Sequence, residues 1–366
     1  MKIKIEKGNL LGAVQVASRG IPSHTTQPIL ECIVVEAREN TIAMRSTDME
    51  IAICTIADGD VIEDGSVALD AKIFLEIAKK MPDGEITIEC GEDYKTKIVS
   101  GKTKFKIAGR DASVFPKTAE ADGADEVIIS EFSLKELIRT TLFSVDFNAA
   151  QKSMTGELLK VQGDRLSAIS LDGHRISIRN IDLRKSYDPV SAIVPGKTLM
   201  EIQKALSGDA DKDCSIIFGE KTILFSFGST TLISRTIDGE FFDIKAIVNI
   251  QPEMTVTVNK QDFADCIDRA ALFVKDGTKK PVILETKGNA IEVRIESTLG
   301  SMNEDVDATR TGGDIKIGMN PAFLSDILKN IDEETITLYF VGEKQPCIIR
   351  DRESYLYLAL PVSLRG

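Results

Sequence analysis

The stretch of this sequence best equipped for chemistry is Leu171-Asp-Gly-His-Arg-Ile176. Histidine and aspartate are the usual partners in proton transfer, and His174 is one of only two histidines, with His24. Yet Asp172 and His174 stand two apart in one turn, no nucleophile pairs with them in the sequence, and Asp-Gly suits a tight turn with positive φ. Three readings are open: a hydrolase using Asp172 and His174, a structural turn, or the rim of a binding surface. Two Gly-Lys-Thr triplets, Gly101-Lys-Thr103 and Gly196-Lys-Thr198, invite a nucleotide reading. A phosphate-binding loop needs glycine five positions before its Gly-Lys pair, and Thr96 and Ser191 occupy those places. Neither G-x-G-x-x-G before a helix nor G-x-S-x-G is present. No catalytic set emerges. The six cysteines (Cys32, Cys54, Cys90, Cys214, Cys266, Cys347) lack C-x-x-C spacing and, with so little histidine, are expected to be reduced core thiols and not a metal or disulfide framework.

The turn must be positioned by elements, and these repeat. A decapeptide of helical pattern recurs every 125 residues: Lys72-Ile-Phe-Leu-Glu-Ile-Ala-Lys-Lys-Met81, Lys197-Thr-Leu-Met-Glu-Ile-Gln-Lys-Ala-Leu206 and Ala322-Phe-Leu-Ser-Asp-Ile-Leu-Lys-Asn-Ile331. Glu76, Glu201 and Asp326 coincide, as do Lys79, Lys204 and Lys329. Solenoid periods run to roughly 50 residues, so this period is a whole domain. Each third opens with a strand and a helix (10–19, 134–145, 263–275), continues through strand pairs around polar turns, reaches the repeated helix and ends in further strands. The expectation is three α+β domains, 1–125, 126–250 and 251–366, each with two helices and about eight antiparallel strands. In the first repeated helix, Ile73, Phe74, Ile77, Ala78 and Met81 are expected to form the buried stripe. Residues 118–126 and 248–253 read as linkers.

The turn at 171–175 also has a counterpart. Ser46-Thr-Asp-Met-Glu50 lies 124 residues earlier, and the third repeat has Ser297-Thr-Leu-Gly300. One scaffold carries histidine and arginine at this turn only in its middle copy.

Among 366 residues, 43% are hydrophobic, 28% charged and 5% aromatic, with no Trp. This is the composition of a globular protein without base-stacking platforms. The N-terminus lacks the apolar run of a signal peptide and no stretch is long enough for a membrane span, so a cytoplasmic location is expected. A net charge of −12 argues against generic nucleic-acid binding. Taken together, however, the expected helices hold more lysine and arginine than acid. A helix-lined basic surface on an acidic body would tolerate DNA there and repel it elsewhere.

These features resemble the bacterial DNA polymerase III beta subunit family, the sliding clamps, along the whole chain. The resemblance rests on Pro28-Ile-Leu30, Ser46-Thr-Asp48, Ser113-Val-Phe-Pro116, Asp172-Gly-His-Arg175, Ile193-Val-Pro195, Asp238-Gly-Glu-Phe241, Ile317-Gly-Met-Asn320 and Leu360-Pro-Val362, in that order and spacing. It implies a homodimeric ring around duplex DNA, helices inside and sheets outside, that tethers the replicative polymerase without catalysis or cofactor. It implies partners too: the DNA polymerase III catalytic subunit, the clamp loader complex and other proteins carrying a clamp-binding motif. Their peptides would enter a pocket of Met154, Leu171, Asp172, Gly173, His174, Arg175, Ile176, Phe242, Ile247, Asn320, Phe323, Pro346, Leu360, Pro361 and Val362. DNA would face His24, Lys72, Lys79, Lys80, Asn148, Lys152, Lys197, Lys204 and Lys329. Phe105, Leu272 and Phe273 would lie at the dimer interface. Leu171, Phe242 and Ala246 depart from the usual family pattern. A repetitive protein-binding scaffold that encircles no DNA is the competing reading.

Overall fold

The structure, a computed structural model, describes residues 1–117, 126–244, 250–274, 280–351 and 354–363. Its α-helices among these are Lys7–Ala17, Ala71–Lys80, Glu131–Thr141, Gly196–Ala205, Lys260–Ala271 and Pro321–Asn330, two per third of the chain. Four of them begin behind a side-chain cap. Asp70 accepts from Ile73 N at 2.9 Å, Ser130 from Ser133 N at 3.1 Å, Asn259 from Gln261 N at 2.9 Å and Asn320 from Ala322 N at 3.0 Å. Each satisfies one of the otherwise orphaned N–H groups of a first turn. In Ala71–Lys80 the buried face is Ala71, Phe74, Ile77 and Ala78, with Met81 just beyond. Ile73 departs from the expected stripe and is 51% exposed: it lies one residue from Phe74, about 100° round the helix.

Two antiparallel sheets carry the remaining chain. One of 13 strands belongs to a compact unit of residues 1–135 and 198–236; the other, of 10 strands, belongs to a unit of residues 136–197 and 237–366. In the first, Ile51–Ala57 pairs with Thr230–Arg235, so the sheet runs from the first repeat into the middle one. In the second, the start of Arg175–Pro195 pairs with Tyr355–Ala359 and joins the middle repeat to the third. The first unit's core gathers Leu10, Val14, Phe74 and Ile77 against Ile3, Ile33, Val35 and Met44. The second's gathers Phe263, Ile267, Leu324 and Ile327 against Val258, Leu284 and Phe340.

Three features of the sheets go beyond the sequence pattern. Cys347–Asp351 is a strand lying between Thr335–Phe340 and Tyr355–Ala359. Lys95–Ser100 likewise separates Glu85–Cys90 from Thr103–Arg110. The middle repeat's strands are long, Gly156–Leu171 and Arg175–Pro195, with register breaks around Gly163, whose φ is +64°. The first linker, up to residue 125, lies largely outside the described residues, as does residue 275 at the end of one expected helix.

Candidate peptide-binding site and helix lysines

The Asp172 turn is a closed hydrogen-bonded unit. Asp172 Oδ1 accepts from His174 N at 2.9 Å and Arg175 N at 3.0 Å, while Asp172 N donates to the Arg175 carbonyl at 3.3 Å. Gly173 sits at φ +81°, where glycine carries no Cβ penalty. Both carboxylate oxygens are occupied within the turn, because Oδ2 accepts from Arg175 Nε at 2.8 Å. A catalytic Asp–His pair is therefore not what this turn builds. His174 instead stacks on Phe323, ring centroids 6.4 Å apart.

Arg175 occupies a position that its exposed-looking sequence context did not suggest. Its side chain is only 10% exposed. Nη1 reaches Asp326 Oδ2 at 2.6 Å, Nη2 donates to the Phe143 carbonyl at 2.6 Å, and the guanidinium lies over the rings of Phe323 (4.6 Å) and Phe143 (5.6 Å). Burial alone would lower its pKa, but bonding to Asp326 and the field of Asp172 outweigh that and raise it. Arg175 thus locks the turn onto the helix Pro321–Asn330 and is spent in doing so. His174, beside it, is exposed.

Beneath the turn lies an apolar floor. Leu171 and Ile176 are buried with Ile169 and Ile178, and Met154 packs on them. Leu158, Phe241, Ile244 and Leu356 belong to the same cluster; sequence reasoning missed them, although the alternation of 156–161 and 355–359 would have put Leu158 and Leu356 on one face. Phe242 is half exposed. Leu360 N bonds to the His174 carbonyl and Val362 N to the Gly318 carbonyl, both at 2.8 Å, so the terminal segment runs beside the turn. Pro346 is buried and immediately precedes Cys347, which pairs with Ala359 next to Leu360. Asn320 caps its helix. Ile247 and Ala246 lie outside the described residues.

The same turn occurs in the first repeat. Asp48 Oδ1 accepts from Glu50 N at 3.0 Å and Ile51 N at 2.8 Å, and Met49 takes the place of Gly173 at φ +77°. A left-handed non-glycine residue carries roughly 1–2 kcal/mol of strain, less the entropy that glycine itself loses on folding. Met49→Gly is therefore expected to stabilise the protein by about 0.5–1 kcal/mol, read as a higher urea midpoint with unchanged slope.

The repeated lysines are exposed, but two are partly neutralised. Lys79 bonds to Glu76 at 2.9 Å and Lys204 to Glu201 at 2.8 Å, each one turn back. In the third copy Arg175 takes Asp326, and Lys329 makes no ion pair among the described residues. Lys72, Lys80 and Lys197 are exposed, as are His24, Asn148 and Lys152. The helix Lys260–Ala271 sets Asp262, Asp265 and Asp268 against Lys260 and Arg269, and acids balance bases in Glu131–Thr141 and Pro321–Asn330, so the basic bias belongs to Lys7–Ala17, Ala71–Lys80 and Gly196–Ala205. Of the two Gly-Lys-Thr triplets, Gly101-Lys102 turns between paired strands and Thr198 is buried on Ser234.

Comparison with known proteins fixes the lineage. Profiles of the DNA polymerase III beta subunit match in order: its N-terminal domain at residues 1–119, its central domain at 128–243 and its C-terminal domain at 248–363. A beta sliding clamp of Staphylococcus epidermidis is 31% identical over 99% of both chains. The chain belongs to the DNA polymerase III beta subunit family, the beta sliding clamps. Clamps of this family are DNA processivity factors without catalytic activity, and that is this chain's function. The fold agrees throughout: a family member from Eubacterium rectale superposes with a TM-score of 0.95 at 45% identity over all of both chains. The Bacillus subtilis DNA polymerase sliding clamp superposes at 0.94 and 29% identity over 99% of both. Within a clamp, a turn that stacks histidine over phenylalanine above an apolar floor suits protein recognition better than chemistry.

Proposed function

We propose that two copies of this chain, each with repeats 1–125, 126–250 and 251–366, close head to tail into a ring around duplex DNA. The ring would work in the cytoplasm and hold the DNA polymerase III catalytic subunit on its template. One observation carries this reading. Within the chain, sheet pairing crosses a repeat border twice, at Ile51–Ala57 with Thr230–Arg235 and at Arg175–Pro195 with Tyr355–Ala359. The corresponding outer strands are Thr103–Arg110 and Gly300–Thr311. Among the described residues, 103–108 pair on one side only, and so do 300–307. An open edge is a template for another strand, and a heterologous contact that closes leaves none.

The two edges are complementary in charge. Lys102, Lys104 and Lys106 are exposed on the first, Asp305 and Asp307 on the second. Ile73 at 51% and Leu272 at 74% exposure add apolar surface, with Phe105 and Phe273 partly buried on the same two repeats. The helix lysines Lys72, Lys79, Lys80, Lys197, Lys204 and Lys329, with His24, Asn148 and Lys152, would face DNA. Pairing of Lys79 and Lys204 with glutamates keeps that attraction weak, which favours sliding over arrest. The Asp172 turn, its floor and residues 360–362 would take apolar anchors of peptides from the polymerase, the clamp loader and other partners.

Light scattering should give a mass near twice 40.0 kDa, and loader-dependent retention on nicked circular DNA should vanish when the circle is cut. A monomer at every concentration, or retention indifferent to cutting, would overturn the ring. Lys104→Glu with Lys106→Glu should weaken the dimer roughly 10–100-fold, about 1.4–2.8 kcal/mol. Adding Asp305→Lys and Asp307→Lys should restore much of it in sedimentation equilibrium.

A further inference from the structure

The counterpart turn in the first repeat also opens onto a cavity. It lies wholly within the unit of residues 1–135 and 198–236 and encloses about 220 Å³. Its apolar walls come from Met49, Ile51, Ala52, Pro116 and Ile233. Sites that enclose a whole drug-sized ligand run to roughly 300–1,000 Å³, so this one fits a single side-chain anchor. The rim is rigid where it is polar: Glu50 accepts a backbone hydrogen bond from Arg235 N at 3.0 Å, and Thr47 Oγ1 donates to the Ile51 carbonyl at 2.7 Å. Over it stands Met49, 46% exposed and held at φ +77°. Methionine's flexible thioether adapts to varied apolar partners.

The charges choose the ligand. Lys117 and Arg235 both line the cavity and are exposed, and among the described residues neither makes an ion pair. One carboxylate, Glu50, shares the rim. On a chain of net charge −12, two unspent cations around an apolar hollow form a local exception. A bare phosphate chain would use the cations and leave the hollow unfilled; an apolar residue flanked by carboxylates uses both.

We propose that this cavity is a second docking point, which takes the apolar side chain of an extended acidic peptide from a partner protein. It is separate from the site at the Asp172 turn and independent of ring closure. The test uses the full-length protein with ¹³C-methyl methionine, the Met49 signal assigned through Met49→Leu. Acetyl-Leu-Glu-Glu-amide should shift the Met49 methyl saturably, at least tenfold more tightly than acetyl-Leu-Lys-Lys-amide. Lys117→Glu with Arg235→Glu should reverse that preference, and Lys117→Gln with Arg235→Gln, which keeps polar side chains there, should abolish it. An unmoved Met49 signal would overturn the proposal. So would equal response to both peptides, movement of Met154 alone, or an equal shift by a thymidine pentanucleotide.

Discussion

Arg175→Ala will destabilise the unit of residues 136–197 and 237–366 by about 3 kcal/mol, while His174→Ala will change stability by less than about 0.5 kcal/mol. The two neighbours differ because one is buried and the other is not. Removing the guanidinium leaves Asp172, whose side chain is 13% exposed, without its charged partner, and strips the Phe143 carbonyl of its donor. Asp326 is 41% exposed and water takes over much of its role, which keeps the expected loss at the low end for a broken buried pair. Two ring contacts vanish as well. Urea unfolding of both variants decides the matter, and Arg175→Ala combined with Asp326→Asn should lose less than the sum of the singles. A loss below 1 kcal/mol for Arg175→Ala would mean that the bonds drawn by this side chain do not hold the turn. Peptide binding, in contrast, should fall in both variants, through lost contact at His174 and through lost positioning at Arg175.

The second large effect concerns a carboxyl group in a core. Glu157 is completely buried, and its Oε1 accepts from Thr141 Oγ1 at 2.9 Å while Oε2 has no partner among the described residues. Burial pushes its pKa up from 4.5 to about 8, with the Thr141 bond opposing. Between those two values the folded chain holds a proton that the unfolded chain has released. Stability from this group is therefore complete below pH 4.5 and declines by about 1.4 kcal/mol per pH unit as pH rises toward 8. By pH 7 the decline amounts to about 3 kcal/mol. Glu157→Gln mimics the neutral acid. It should match the parent near pH 4.5, exceed it in urea midpoint at pH 8 and flatten the slope between. Parallel pH profiles for the two proteins would show that Glu157 ionises without penalty.

The repeat made much of this architecture legible. Glu76, Glu201 and Asp326 at 125-residue spacing announced three helices in equivalent places, and the capping residues Asp70, Asn259 and Asn320 stand where the helices begin. The shared turn at Asp48 and Asp172 was visible too, down to the position that goes left-handed. Less legible were the strands Lys95–Ser100 and Cys347–Asp351. In Lys95–Ser100 two of the buried positions are Thr96 and Ser100, so burial alternates where hydropathy does not, and Cys347–Asp351 opens with three consecutive buried apolar residues, which shows no alternation. Arg175 misled for a different reason. A charge in a turn reads as solvent-facing, and only the packing around it reveals Phe323 and Asp326 on one helix and Phe143 in the turn at 142–144. Glu157 is the equivalent of core residues Ile33 and Val282, judged by strand pairing just ahead of each repeated helix. Its burial is a property of the repeat and not of its own side chain, so composition gave no warning.

The sheets that cross repeat borders separate two periods usually taken as one. Duplication in this chain has a period of about 125 residues, yet the compact units each contain one repeat and part of the middle one. A fragment cut at the repeat borders would sever the pairing of Ile51–Ala57 or of Tyr355–Ala359 and leave raw edges behind. The unit that was copied is thus not the unit within which the sheets run: each continuous sheet takes strands from the middle copy together with those of one neighbour.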